Sequence, residues 1–431
     1  MRSKHGFSFF TILIVVTLVL GACTPAAPAS TAASTAVVPP TTAPTVADPA
    51  TTAPTVAAPT TAPTEAQSAN TVAPAAVDWN TTASAAAGGG MDALVAAAKA
   101  EGELNVITLP RDWCDYGDMM DNFTKLYGIK INSLNPDGGS ADEVQAIKDN
   151  KDNKGPQAPD VLDIGPAYGP LAQSQNLLAP YKVSTWDTIK GSKDANGYFF
   201  IDYSGVLAFE INTDIVKNPP QDWKDLLKPE YKGQIGLPGD PRASNEAAQT
   251  VYAAAMANGG TLDNIQPGLD FFKQLNANGN LLPLIADSGP IAKGETPISI
   301  HWNYLALANR DNFKGNPNIQ VIYPKSVSWG GYYFQAISAY APHPAAARLW
   351  EEYLYSDAGQ LTWIKGYCTP ARMADMLSRN VVPAAAQAAL PPADMIASSV
   401  IPSPDQLTAA RALIKDQWDK VVGLDIKAAG N

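Results

Sequence analysis

At 431 residues the chain is too long for one small core and corresponds to two or three domain-sized units. Its 30 Lys and Arg against 41 Asp and Glu give a net charge of -11, which argues against a nucleic-acid partner that would need a basic face. Three His and three Cys leave little for a His-based metal centre or a disulfide-dense scaffold, so neither a metal nor a cofactor is expected.

Arg2 and Lys4 precede an apolar run from Phe7 to Leu20. At about 14 residues this run is short for a membrane span and has the length of an export signal's apolar region. Leu20-Gly21-Ala22-Cys23 follows and resembles the lipobox of bacterial lipoproteins, in which the Cys is acylated. The resemblance implies a signal peptide over 1–22, lipid on Cys23, and a protein exported and anchored to the outer face of the cytoplasmic membrane. From residue 23 to 90 the chain is rich in Thr, Pro and Ala and repeats Thr41-Thr42-Ala43-Pro44-Thr45-Val46-Ala47 at Thr51 to Ala57. It has too little apolar surface to offset its ordering entropy and is expected to be a disordered tether. Extended at about 3.1 Å per residue, it would reach on the order of 200 Å.

Helix and strand signals alternate from Met91. Asp92 to Ala100 reads as a helix, Leu104 to Leu109 as a buried strand, Asp118 to Tyr127 as a helix, and Ile129 to Leu134 as a strand. Ser140 and Glu143 have capping-box spacing and open a helix to about Lys148; Pro159 to Ile164 is a third strand. A second set follows: helices at Trp223 to Leu227, Asn245 to Ala257 and Leu269 to Leu275, and strands at Gln234 to Leu237, Pro297 to His301 and Ile319 to Tyr323. Pro344 to Tyr355 and Pro404 to Val422 are helical. Such alternation defines two α/β lobes with mostly parallel sheets. The expected division is lobe one over 91–200 with part of 331–431, lobe two over 201–330, and a return segment with C-terminal helices over 331–431. Ligands gather beyond the carboxyl ends of such strands, which selects the loops Arg111 to Tyr116, Asn135 to Ser140, Gly165 to Tyr168, Gly239 to Arg242, Trp302 to Tyr304 and Ser328 to Tyr332.

These loops are rich in aromatics and carboxylates. Asp112, Trp113, Tyr116, Tyr168, Asp240, Trp302, Tyr304 and Trp329 are the candidate ligand-binding residues. Aromatic faces with carboxylates suit an ammonium or another organic cation. Arg111 and Arg242 in the same loops either clamp an anion or pair with Asp112 and Asp240. Cys114 and Cys368 are the thiols left once Cys23 is acylated, and export leaves both a disulfide and two free thiols open. The parts of an enzyme are sparse: there is no Gly-x-Ser-x-Gly, His-Glu-x-x-His or phosphate-loop motif. Asp112 and Asp115 as a carboxylate pair of a secreted hydrolase form the rival reading.

Three stretches resemble bacterial extracellular solute-binding proteins, in the family's order: Ala98-Lys99-Ala100-Glu101-Gly102-Glu103-Leu104, Trp223-Lys224-Asp225-Leu226-Leu227 through Gly233, and His343-Pro344-Ala345 with Ser356-Asp357-Ala358-Gly359-Gln360. The resemblance implies a two-lobed, type II periplasmic-binding-protein-like fold whose hinge lies near Tyr198 to Val206 and Ser328 to Phe334. It further implies a monomer without catalysis that delivers one small solute to an ABC permease. The branch includes iron, polyamine, thiamine and phosphonate binders. His301-Trp302-Asn303-Tyr304 stands where the iron binders present adjacent Tyr residues, which weakens iron and favours a polyamine-like cation. Phosphonate remains open through Arg111 or Arg242.

Overall fold

The computed structural model describes residues 77–428. The signal peptide, Cys23 and the tether up to residue 76 lie outside the described residues. Eleven strands follow in chain order: β1 Glu103–Ile107, β2 Lys130–Leu134, β3 Val161–Ile164, β4 Leu178–Ala179, β5 Phe200–Asn212, β6 Ile235–Leu237, β7 Leu281–Ile285, β8 Ile298–Trp302, β9 Ile319–Ile322, β10 Gly330–Ser338 and β11 Thr369–Pro370. Their order is β2-β1-β3-β10-β5-β8-β6-β7. β2, β1 and β3 are parallel, as are β8, β6 and β7; between the two triplets runs the antiparallel pair β10–β5. Among the described residues no helix is long and apolar enough to cross a membrane.

β5 explains how two parallel α/β halves share one chain. Its first residues pair with β10, with Ser204 opposite Tyr332, while Leu207 to Ile211 pair with β8. Twelve of its 13 residues are buried, as expected of a strand covered on both faces. Gly205 and Gly331 face each other in this pair, and a side chain on Gly331 would strike the Trp302 indole at 2.0 Å. Only glycine admits so close an approach.

The helices expected at Asp92 and Asp118 are Met91–Glu101 and Tyr116–Tyr127, and Asn245–Ala257 has the bounds read from sequence. The capping box at Ser140 is corrected. Gly139 is the N-cap of Ser140–Asn150, and its N–H donates to the Asp142 carboxylate at 2.9 Å. Ser140 and Glu143 instead turn to β3, accepting from the N–H groups of Gly165 and Asp163, each at 2.9 Å. The tether boundary at Gly90 is corrected too. Trp79 is buried against Gly88, and Arg348 donates to the carbonyls of Asn80 at 3.0 Å and Thr82 at 2.7 Å. The ordered chain therefore reaches back to residue 77.

Candidate functional site

Between the two sheet halves lies a cluster of aromatic rings, and the chain goes to some length to place the first of them. Trp113 precedes Cys114 and Asp115, which both have left-handed backbone (φ 48° and 61°), a conformation unfavourable for residues with a Cβ. Three contacts hold that turn. A disulfide joins Cys114 to Cys368, with Cα atoms 5.7 Å apart. Lys365 pairs with Asp115 at 2.9 Å. The Gly366 backbone lies so close that a Cβ there would meet the Cys114 carbonyl carbon at 2.3 Å. Trp113 consequently stands 5.5 Å from the Tyr304 ring and 5.4 Å from Tyr333, and its indole N–H donates to the Tyr203 hydroxyl. Tyr203 is 5.8 Å from both Tyr304 and Tyr333, and Trp302 stacks on Tyr304 at 6.4 Å.

Under the rings lies a buried carboxylate network. Asp163, next to last in β3, accepts from the hydroxyls of Tyr203 at 2.8 Å and Tyr116 at 3.0 Å on Oδ2, while its Oδ1 has no partner. Gln335 of β10 donates to the Tyr116 hydroxyl and to Asp202 Oδ2, both at 2.8 Å. Burial raises Asp163 to about 7 despite those hydroxyl donors. Burial, then repulsion from Asp163, pushes Asp202 well above the usual carboxylate range. Glu143 is driven up the same way, by burial and then by Asp163.

On the other half, Glu246 in the first turn of Asn245–Ala257 accepts the Trp302 N–H at 2.7 Å and lies 3.4 Å from His301 Nδ1. Burial alone would depress His301, but Glu246 and Glu210 beside it raise it to about 9. The imidazolium thus neutralises Glu246 locally. Asn245, only 5% exposed, leaves both side-chain polar atoms unpaired next to Gly165.

The structure brings Trp113, Tyr116, Trp302 and Tyr304 together and places the other candidates elsewhere. β8 ends at Trp302, and Tyr304 sits in the helix Asn303–Phe313. Asp112 is exposed. Asp240 is bound by Arg242, which also reaches Asp419 and Asp425, so both belong to an ion cluster at the surface. Trp329 packs against Tyr252 and donates to Gln249 at 3.1 Å. Tyr168 lies under the Arg411 guanidinium, 4.8 Å from its ring centre, and accepts from it. Arg111 pairs with Asp121 at the surface, and Asp115, one of the two carboxylates of the rival reading, pairs with Lys365. Sequence reading missed Asp163, Asp202, Tyr203, Glu246 and Asn245. One signal was available: a lone acid inside Val161-Leu162-Asp163-Ile164, next to a strand's carboxyl end.

Two α/β halves joined by antiparallel strands, with polar and aromatic groups converging between them, define a two-lobed binding fold. The chain belongs to the bacterial extracellular solute-binding proteins, whose family model matches residues 157–398. A Salmonella typhimurium periplasmic protein named for 2-aminoethylphosphonate binding is 27% identical over 216 residues, which cover 48% of this chain and 58% of that one. An Escherichia coli periplasmic protein named for spermidine/putrescine binding is 31% identical over 193 residues, covering 43% and 53%. The chain thus spans little more than half the length of these relatives. Among solved structures, the periplasmic binding protein P5PA superposes with a TM-score of 0.60 at 22% identity, over 74% of this chain and 99% of that one.

Proposed function

We propose that this protein is the extracytoplasmic solute-binding subunit of an ABC importer, without catalysis of its own, and that it captures a small organic cation of polyamine-like character by hinge closure. One observation carries the choice of ligand: Asp163 and Asp202 lie buried against Tyr116, Tyr203 and Gln335, with Trp113 bonded to the same Tyr203 hydroxyl, and among the described residues neither bonds a Lys or Arg. An ammonium would supply the missing positive charge, and the rings its cation–π walls. The hinge is the β5–β10 pair near Tyr198–Val206 and Ser328–Phe334, the only strands that pass between the two parallel triplets among the described residues. With the ordered start moved back to residue 77, lobe one is then 77–200 with part of 331–431, and lobe two 201–330.

A second reading, a zwitterionic aminophosphonate, has its own support. Asn245 offers an unpaired amide at the N-terminus of a 13-residue helix, where partial positive charge favours an anion, and Arg411 lies beside Ser244. Calorimetry against putrescine, spermidine, thiamine, ferric citrate and 2-aminoethylphosphonate separates the two. Binding of simple amines, strongly weakened in Asp163→Asn, is the expected result. Binding of the phosphonate alone, lost in Asn245→Ala, selects the second reading, and binding of ferric iron alone rejects both.

Anchoring belongs to the same proposal. Cys23 carries lipid and the Thr/Pro/Ala tether holds the monomeric binder near its permease at the membrane's outer face. Cys23→Ser should leave the protein unacylated and move it from the membrane fraction to the soluble exported fraction; an unchanged distribution would reject the lipobox.

A further inference from the structure

The segment Gly366 to Pro370 touches both halves of the molecule. Cys368 is bonded to Cys114 beside Trp113, and Thr369 and Pro370 pair with Ser204 and Tyr203 of β5. Between Gly366 and Cys368 stands Tyr367, itself in left-handed backbone at φ 66°. Its carbonyl accepts from Asn303 Nδ2 at 3.0 Å, and Asn303 Oδ1 in turn accepts the Val206 N–H at 2.8 Å. Its hydroxyl donates to the Asp311 carboxylate, and the Arg310 guanidinium lies 5.8 Å from its ring centre. Asn303, Arg310 and Asp311 all belong to the helix that follows β8, in the other half of the molecule, and that helix begins next to Tyr304.

We propose that Tyr367 is a closure latch: a positioning residue that touches no solute and holds the helix Asn303–Phe313 against the disulfide-fixed loop of Trp113. The inference rests on the hinge-closing reading above. Disulfide and strand pairing fix Tyr367 to the first half, so opening must break its bonds to the second half and closing must remake them. Such a contact favours the closed state and thereby tightens binding without contributing to the binding surface. A hydroxyl bonded to a carboxylate is among the stronger hydrogen bonds, although its exposure at the rim reduces its weight.

Tyr367→Phe removes the hydroxyl and keeps the ring. Hydrogen exchange followed by mass spectrometry on the full chain, without solute, should show the amides of Trp113–Gly117 and Trp302–Leu307 exchanging several-fold faster, with β1 and β6 unchanged. Spermidine should dissociate about fivefold faster from the variant than from wild type. Identical exchange overturns the latch, and so does faster exchange throughout the molecule, which would mark a purely structural role. An unchanged spermidine dissociation rate beside locally altered exchange overturns it as well. A wild-type protein that does not bind spermidine rejects the cation reading, and the exchange comparison alone then decides the latch.

Discussion

Replacing Cys114 and Cys368 together by Ser should lower the stability of the folded protein by about 5 kcal/mol in the chain-entropy account of cross-links. The two residues are 254 positions apart, so their bond closes most of the ordered chain into one loop and removes much of the unfolded state's freedom. Both sulfurs are fully buried, so the variant also leaves two hydroxyls in an apolar setting, a cost with the same sign. A further loss follows from position. Without the bond, the left-handed turn at Cys114 and Asp115 keeps Lys365, the packing of Gly366 and its local backbone hydrogen bonds, but loses its covalent tie. Trp113 should then lose its fixed place between Tyr203, Tyr304 and Tyr333, and solute binding should weaken along with stability. Denaturant titrations of wild type with and without a strong reductant provide the check. Coincident curves, with thiols shown by mass to be free in the reduced sample, would reject the account.

How much of this was legible in the sequence depends on which distances set each feature. Local signals placed the elements well: Asn245–Ala257 and Pro404–Val421 were readable because capping residues and apolar periodicity act within a few residues. β5 was not. Phe200 to Asn212 is buried on both faces and shows no alternation, so only part of it was read, as a hinge crossing. The site divided along the same line. Trp113 and Tyr304 lie just past strand ends, where a topological rule finds them, but Asp240 obeys that rule equally and is claimed by Arg242. Arg242, two residues on, made that pairing one of the readings open from sequence, but its further partners Asp419 and Asp425 lie about 180 residues away in the chain. Asp163 and Asp202 were missed for the opposite reason. They sit inside apolar strands that read as core, and only the tertiary pairing of β3, β10 and β5 shows that their neighbours are Tyr116, Tyr203 and Gln335.

Between about pH 8 and about pH 5.5 the solute-free protein should become more stable while its affinity for an amine falls. Burial raises Asp163 to about 7, from an ordinary value of 3.8 that the unfolded chain restores. A carboxyl group whose folded pKa is raised contributes stability that is fully present below the unfolded value and is lost as pH rises through the folded value. Over this window the neighbouring Asp163 and Asp202 carboxyls, which titrate together, should therefore contribute on the order of 2 kcal/mol, gained on acidification. Glu210, raised by burial to about 7, acts with the same sign. So does His301, raised to about 9, whose contribution fades only as pH climbs from its unfolded value toward 9. Carboxylates held below their ordinary range, such as Asp357 beside Arg379, oppose this only as pH falls through the acid range below about 4, outside the window. Binding runs the other way. An ammonium needs Asp163 ionised, so below pH 7 each bound cation must displace a proton, and spermidine affinity should fall about twentyfold from pH 7.5 to pH 5.5. Asp163→Asn should flatten both curves: melting loses its Asp163 share of acid stabilisation, and residual binding becomes nearly independent of pH. Melting temperatures and calorimetric affinities on one pH series test the pair of slopes. A wild type that binds spermidine equally at both ends, or melts lower at pH 5.5 than at pH 8, would remove Asp163 from the site.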